Sequence, residues 1–215
     1  MDILKAMTKK HIRMTFTEEV LGTCSNNPEL HDEFIASKAP APELRDEESA
    51  MFEADANELR DKGLTVFMRN PKSGAIALMD YAVKGMLKAN VTALEAQNKI
   101  KQGSSKVGKY VFVAPRIIDL MDADGNPIKS CADDLERPLR AKTMKGDRVA
   151  LTSSEQVLAP WQIEVSVSLI PNKGSEKSAS VTWEAVEDAL DYGELNGIGQ
   201  WHNGGYGRFT WERIG

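Results

Sequence analysis

Between residues 197 and 207 the chain reads Gly-Ile-Gly-Gln-Trp-His-Asn-Gly-Gly-Tyr-Gly, five glycines in eleven positions. Four of them form two Gly-apolar-Gly triplets, Gly197-Ile198-Gly199 and Gly205-Tyr206-Gly207, five residues apart. Glycine adopts positive φ readily and admits close backbone approach, at a cost in conformational entropy. So dense a run predicts a tightly folded loop whose backbone approaches a phosphate, a nucleotide or another segment.

Periodicity supplies the elements around the loop. Ile12, Met14 and Phe16 alternate with Arg13 and Thr15, a half-buried strand over 11–17. Met79, Val83, Met86, Leu87 and Leu94 recur at helical spacing, predicting a helix over 79–100. Strands follow at 109–118 and at 161–170, the latter from strict alternation of Trp161, Ile163, Val165, Val167 and Leu169 with polar residues. Thr182 caps a helix over 182–192, stopped by Gly193, and a last strand covers 207–214. The order βαββαβ predicts an α+β, ferredoxin-like core: an RRM-like antiparallel sheet, two helices on one face and the other face free. Residues 1–215 then form one domain with two large insertions. The first, 20–78, contains a short helix from Pro28 through Ile35, an Ala39–Pro42 break, an acidic helical stretch to about Arg60, a strand at 64–68 and a turn at 70–74. The second, 119–160, reads as basic and irregular, opening on a turn at Asp122–Pro127.

Charge narrows the function classes. The net charge of −5 counts against a protein that coats nucleic acid non-specifically. Its distribution is uneven. Glu43 to Lys62 carries eight acidic residues against three basic, whereas Arg137, Arg140, Lys142, Lys145 and Arg148 face only Asp147. Five cations in twelve residues repel one another unless an anion satisfies them. Cys24 and Cys131 lack a Cys-x-x-Cys partner, which fits a reducing cytoplasm and argues against a disulfide framework or a structural zinc site. No apolar run is long enough to span a membrane.

Several patterns are set aside. Gly103–Lys109 matches G-x-x-x-x-G-K, but Tyr110 replaces the hydroxyl residue and the helix-to-strand context is reversed, so it reads as a linker. Asp122-x-Asp124-Gly125 lacks the later ligands of a calcium loop. His11, His31 and His202 show neither metal-ligand nor triad spacing; only His202, in the glycine loop, has a functional context. No cofactor, metal or catalytic residue is expected. Lys84 and Lys88, one helical turn apart, are candidate phosphate contacts or a solvated helix face. Trp201 is a candidate stacking platform for a base, or a staple that packs the loop onto the core.

The glycine spacing on a ferredoxin-like core resembles the glycine-rich loop of the RAMP superfamily, the RNA-binding proteins that process or coat guide RNA in CRISPR systems. The resemblance maps that loop onto Gly197, Gly199, Gly205 and Gly207. Lys84-Gly85-Met86-Leu87-Lys88 is similar to the Lys-Gly-x-Leu-Lys/Arg stretch opening the first helix in the backbone branch of that superfamily. Phe16–Thr23, Arg137–Thr143 and Tyr192–Phe209 also resemble uncharacterised proteins of bacteriophages and prophages. Two departures stand out. The spacer Gln-Trp-His-Asn-Gly has no Lys or Arg, and neither His11 nor His31 has the setting of a processing nuclease's histidine.

The resemblance and the residues together imply a non-catalytic RNA- or nucleotide-binding protein of phage origin. Its ligand contacts would be Gly197, Gly199, Trp201, His202, Gly205, Gly207 and Arg208 in the loop, with Lys84, Lys88, Arg137, Arg140, Lys142 and Arg148 adding positive potential. The alternative is a counter-defence protein that binds a host immune complex, with the acidic 43–62 segment meeting a basic surface. A second copy of the chain is a further possible partner.

Overall fold

The alternating stretch Trp161–Leu169 becomes the strand around which the molecule is organised, every second side chain buried. The structure, a computed structural model, describes residues 3–25, 64–143 and 146–215. The helices expected within 28–60, His31 and the acidic 43–62 segment lie outside the described residues.

In chain order, helix α1 (Ile3–Ala6) leads into β1 (Thr8–Phe16). Short strands β2 (Val20–Leu21), β3 (Cys24–Ser25), β4 (Leu64–Val66), β5 (Met68–Arg69) and β6 (Ile76–Met79) follow. Helices α2 (Asp80–Ala93), α3 (Glu95–Asn98) and α4 (Gly103–Tyr110) precede β7 (Val111–Ala114) and β8 (Ile117–Asp119). Next come β9 (Leu135–Thr143), β10 (Gly146–Ser154), β11 (Gln156–Val157) and β12 (Trp161–Leu169). Helix α5 (Trp183–Asn196) and β13 (Phe209–Arg213) close the chain.

The central sheet has the order β13-β1-β12-β7, and every neighbouring pair is antiparallel. Helix α2 lies between β1 and β7 in the chain, and α5 lies between β12 and β13. This is the ferredoxin-like βαββαβ arrangement expected from the sequence. One face of the sheet buries Ile12, Met14, Phe16, Ile163 and Val165 in the same core as Val83 and Leu87 of α2 and Val186 and Leu190 of α5. Phe16 stacks on Trp161 with ring centroids 3.5 Å apart, and Phe209 lies 5.4 Å from Phe16. Buried indole needs a partner for its N–H, and Trp161 Nε1 donates to the Glu18 carbonyl at 3.0 Å.

Four elements differ from expectation. Helix α5 starts where expected, with Thr182 Oγ1 accepting the Ala185 N–H, a cap that stabilises by about 1 kcal/mol. It then runs through Gly193 to Asn196 instead of stopping. Gly193 serves packing: a Cβ there would lie 2.8 Å from Phe209 Cζ and 3.1 Å from Asn90 Nδ2. The fully buried Asn90 on α2 donates to Ala189 O at 2.9 Å, and its Oδ1 accepts from Asn196 Nδ2 at 3.1 Å. That bond pair ties α2 to the end of α5 and so positions the loop that follows.

The expected linker at 103–109 is instead helix α4, docked on α2 through buried Val107, with Gly103 too close to Val91 for a side chain. The strand expected over 109–118 is correspondingly divided. Only β7 joins the central sheet, while β8 pairs with β6 in a separate three-stranded sheet. The expected turn at 122–127 is present, Asp122 Oδ1 accepting the N–H groups of Asp124 and Asn126. The segment expected to be irregular folds as a β9–β10 hairpin with nine antiparallel residue pairs, extended by a parallel pairing of β10 with β4.

Candidate functional site

All four motif glycines of the loop occupy the left-handed region, with φ of 74° at Gly197, 88° at Gly199, 96° at Gly205 and 67° at Gly207. The outer two also allow the chain to touch itself. A Cβ on Gly207 would lie 2.1 Å from Ile198 O, and one on Gly197 would lie 2.4 Å from Tyr206 O. Between the two triplets, Ile198 N–H donates to Gly207 O at 3.0 Å, while buried Ile198 plugs into the core. Gly207 N–H then donates to Glu19 O, and Thr17 N–H to Arg208 O, so the segment after β1 clamps the loop base. The close approaches that the glycines permit are therefore filled by the chain's own backbone.

The tip is organised differently. Trp201 has a φ of 56°, a conformation that costs a side-chain-bearing residue about 1–2 kcal/mol. It is 42% exposed and stacks on Tyr206 with centroids 5.3 Å apart. The Arg137 guanidinium of β9 lies 4.3 Å from the Trp201 ring centre, and its Nη2 donates to Gln200 Oε1 at 3.0 Å. Arg137 is only 6% exposed, and its Nε and Nη1 have no hydrogen-bond partner among the described residues. Burial pushes this guanidinium below its ordinary pKa, with Tyr206 acting the other way. Arginine nonetheless stays charged at neutral pH. Among the described residues no carboxylate pairs with it. The N–H groups of Gly199, Gln200 and Trp201 also find no acceptor among the described residues.

The other expected residues are scattered. His202 Nδ1 donates to Asn196 O at 3.1 Å, covering a carbonyl at the end of α5. Arg208 is exposed beside a groove of about 470 Å³ that Glu18, Glu19, Asn203 and Tyr206 also line. Lys84 Nζ donates to Gly108 O at 3.1 Å and lies 4.8 Å from the Phe112 ring; burial, then Lys88, lowers its pKa. The Lys88 side chain rests against Gly108. Both lysines thus serve the α2–α4 contact. Arg140, Lys142 and Arg148 take backbone places in the β9–β10 hairpin, and their side chains lie outside the described residues. The free face of the sheet is charge-paired: Arg13 bridges Glu164 at 2.7 Å and Glu212 at 3.1 Å, and His11 meets Ser166. The sequence paired neither Arg137 with Trp201 nor Arg137 with Gln200, because 64 and 63 residues separate them.

Neither cysteine is poised as a nucleophile. Cys24 is buried, and burial next to Glu155 pushes the Cys131 thiol up to about 12, with Arg69 opposing. Among the described residues no cluster of three or more His, Cys, Asp or Glu could hold a metal ion, and no helix is long and apolar enough to cross a membrane.

No family model matches the chain, and no curated protein does. Among solved structures, it is similar to a chain in the cryo-EM structure of the Type III-B Cmr-beta bound to cognate target RNA. Identity is 10% and the TM-score 0.48, over 99% of this chain and 62% of that one. This chain therefore spans less than two thirds of the length of that solved chain. A likeness of that degree carries no functional argument, and the fold assignment rests on the strand order of the central sheet.

Proposed function

We propose that this is a non-catalytic, RAMP-like RNA- or nucleotide-binding protein of phage origin, whose ligand meets the Arg137–Trp201 corner of the glycine loop. The observation that carries the reading is Arg137: a buried cation with two guanidinium nitrogens unsatisfied among the described residues, stacked beside an exposed indole. Burying an unpaired charge is costly, and buried polar groups without partners call for an ion, water or ligand. A phosphate oxygen would satisfy the guanidinium and the N–H groups of Gly199, Gln200 and Trp201, while a base stacks on Trp201.

The test is fluorescence anisotropy with a single-stranded U-rich RNA at low salt. Arg137→Met is expected to leave the melting temperature unchanged or higher, because it removes an uncompensated buried charge, while weakening RNA binding about tenfold. Trp201→Gly keeps the positive φ and is expected to weaken binding by a similar factor through lost stacking. Absence of any RNA binding by the wild type, or full affinity in both variants, rejects the reading.

Glu18 and Glu19 beside the loop favour a second reading, a counter-defence protein that docks on a basic host surface. Retention of one host protein after nuclease treatment of a pull-down, abolished by Glu18→Lys with Glu19→Lys, supports it. Loss of that protein after nuclease excludes it.

A further inference from the structure

On the α2–α4 side of the molecule, away from the glycine loop in sequence, two adjoining grooves of about 700 and 850 Å³ share Glu95, Lys101, Ser175, Lys177 and Ser178 as walls. Lys106 and Lys173 complete one, and Lys99 and Glu176 the other. Five lysines thus meet two carboxylates. The lysines come from two stretches of chain: Lys99 to Lys106, which runs from the end of α3 into α4, and the loop after β12.

The turn is tightly specified. Lys99 and Gln102 both have left-handed φ, 57° and 58°, so the chain reverses twice between α3 and α4 and keeps Lys99 and Lys101 on the groove rim. Lys106 is half-buried, and its Nζ donates to Ser178 Oγ and to Ala179 O, both at 2.5 Å. Ser178 Oγ also accepts the Lys101 N–H at 3.0 Å. These bonds fasten the two stretches together. Among the described residues, no carboxylate oxygen lies within 4.0 Å of any of the five ammonium groups. Lys99, Lys101, Lys173 and Lys177 are exposed. Elsewhere the chain pairs such cations: Lys10 and Arg213 share Glu187, and Arg13 takes Glu164 and Glu212.

We infer that this groove is a sequence-independent binding site for the phosphodiester backbone of a single-stranded nucleic acid. Lysine ammonium groups and serine hydroxyls are phosphate-contacting groups that fix position without reading bases. Among the described residues no aromatic or arginine side chain lines the walls, so neither base stacking nor an arginine fork on guanine is available, and Gln102 is the amide beside the lysines. The same composition disfavours a protein partner, whose interfaces centre on aromatic and arginine anchors and are depleted in lysine. The site does not depend on the glycine-loop reading, since it stands if Trp201 and Arg137 contact nothing.

The experiment compares salt dependences of anisotropy with U20 RNA and T20 DNA. For single strands each phosphate contact contributes roughly 0.7 to the slope of log affinity against log salt. Replacing Lys101, Lys173 and Lys177 by Gln is expected to make the slope shallower by about 2 for both probes. Replacing Lys9, Lys109 and Lys129, exposed lysines outside the groove, lowers the charge equally and is expected to change the slope by less than about 0.7. Equal slopes for the two triple variants overturn the inference, as does absence of U20 and T20 binding by the wild type. Displacement of U20 by poly-glutamate at lower charge concentration than by unlabelled RNA also overturns it, in favour of an acidic protein. If Trp201→Gly alone loses affinity while the groove variant does not, the loop reading survives and the groove fails; the reverse result separates them the other way.

Discussion

The glycine loop and the lysine groove solve opposite problems. In the loop, the scarce resource is space: four left-handed glycines let two triplets cross at van der Waals contact, and their hydrogen bonds run to Gly193, Gly207 and Glu19. Little charge enters that construction, and its flank carries Glu18 and Glu19. In the groove, backbone strain is confined to Lys99 and Gln102, and the cations outnumber the anions without pairing. The difference teaches that an eye-catching motif and a binding surface need not coincide. A dense glycine motif reports how the chain closes on itself, whereas unpaired charge reports what the surface awaits.

The largest effects test the loop half of that contrast. Gly207→Ala places a Cβ on Ile198 O and forces a left-handed alanine, so it is expected to destabilise by about 3 kcal/mol or more in urea unfolding. Asn90→Ala removes the second hydrogen bond on Ala189 O and leaves Asn196 Nδ2 without its Asn90 acceptor at the helix end that carries the loop; about 2 kcal/mol is expected by the same measurement. Gly205→Ala meets only the far end of Arg208 at 4.0 Å, leaving the left-handed penalty of about 1 kcal/mol. Equal costs for Gly205→Ala and Gly207→Ala would break the claim that self-contact makes the outer glycines necessary.

The smallest effect concerns paired and unpaired cations. The Lys10 hydrogen bond, with Arg213 adding, holds the Glu187 carboxyl below its ordinary value of 4.5. A carboxylate depressed in the fold stabilises above the unfolded pKa and loses that contribution as pH falls through the folded one. Glu187→Gln is therefore expected to cost about 0.5 kcal/mol at pH 7, with the gap to wild type closing as the pH falls below 4.5. Replacing Lys101, Lys173 and Lys177 together is expected to cost less than about 0.5 kcal/mol at any pH from 5 to 8. A larger loss would mean that the groove lysines are paired after all.

How much of this was legible in the sequence depended on range. The strand Trp161–Leu169 was legible because its two faces meet core and solvent, and that difference is written every second residue. The Thr182 cap and the glycine loop were legible for the same reason, being local. Gly193 was misread as a stop, since its role is contact with Phe209 and Asn90 across the core. Helix α4 was read as a linker because its eight residues bury only Gly103 and Val107, too few for a helical stripe. The β9–β10 hairpin shows no clear alternation and holds itself through its ladder, a non-local interaction. Of the candidate site, the tight backbone of the glycine loop was legible, but the meeting of Arg137 with Trp201 was not. The lysine groove was invisible: Lys99–Lys106 and Lys173–Lys177 lie about seventy residues apart and assemble only when the loop after β12 reaches α4.

The central claim is that the loop glycines build architecture while Trp201, Arg137 and the groove lysines make the ligand contacts. Salt titrations of U20 RNA binding, run side by side on wild type, Gly205→Ala, Trp201→Gly and the Lys101/Lys173/Lys177→Gln variant, test it most directly. Gly205→Ala is expected to overlay the wild type and Trp201→Gly to run parallel but about tenfold weaker. The lysine variant is expected to be shallower by about 2 in slope. A Gly205→Ala line that loses slope or affinity, together with a lysine variant that overlays the wild type, would contradict it.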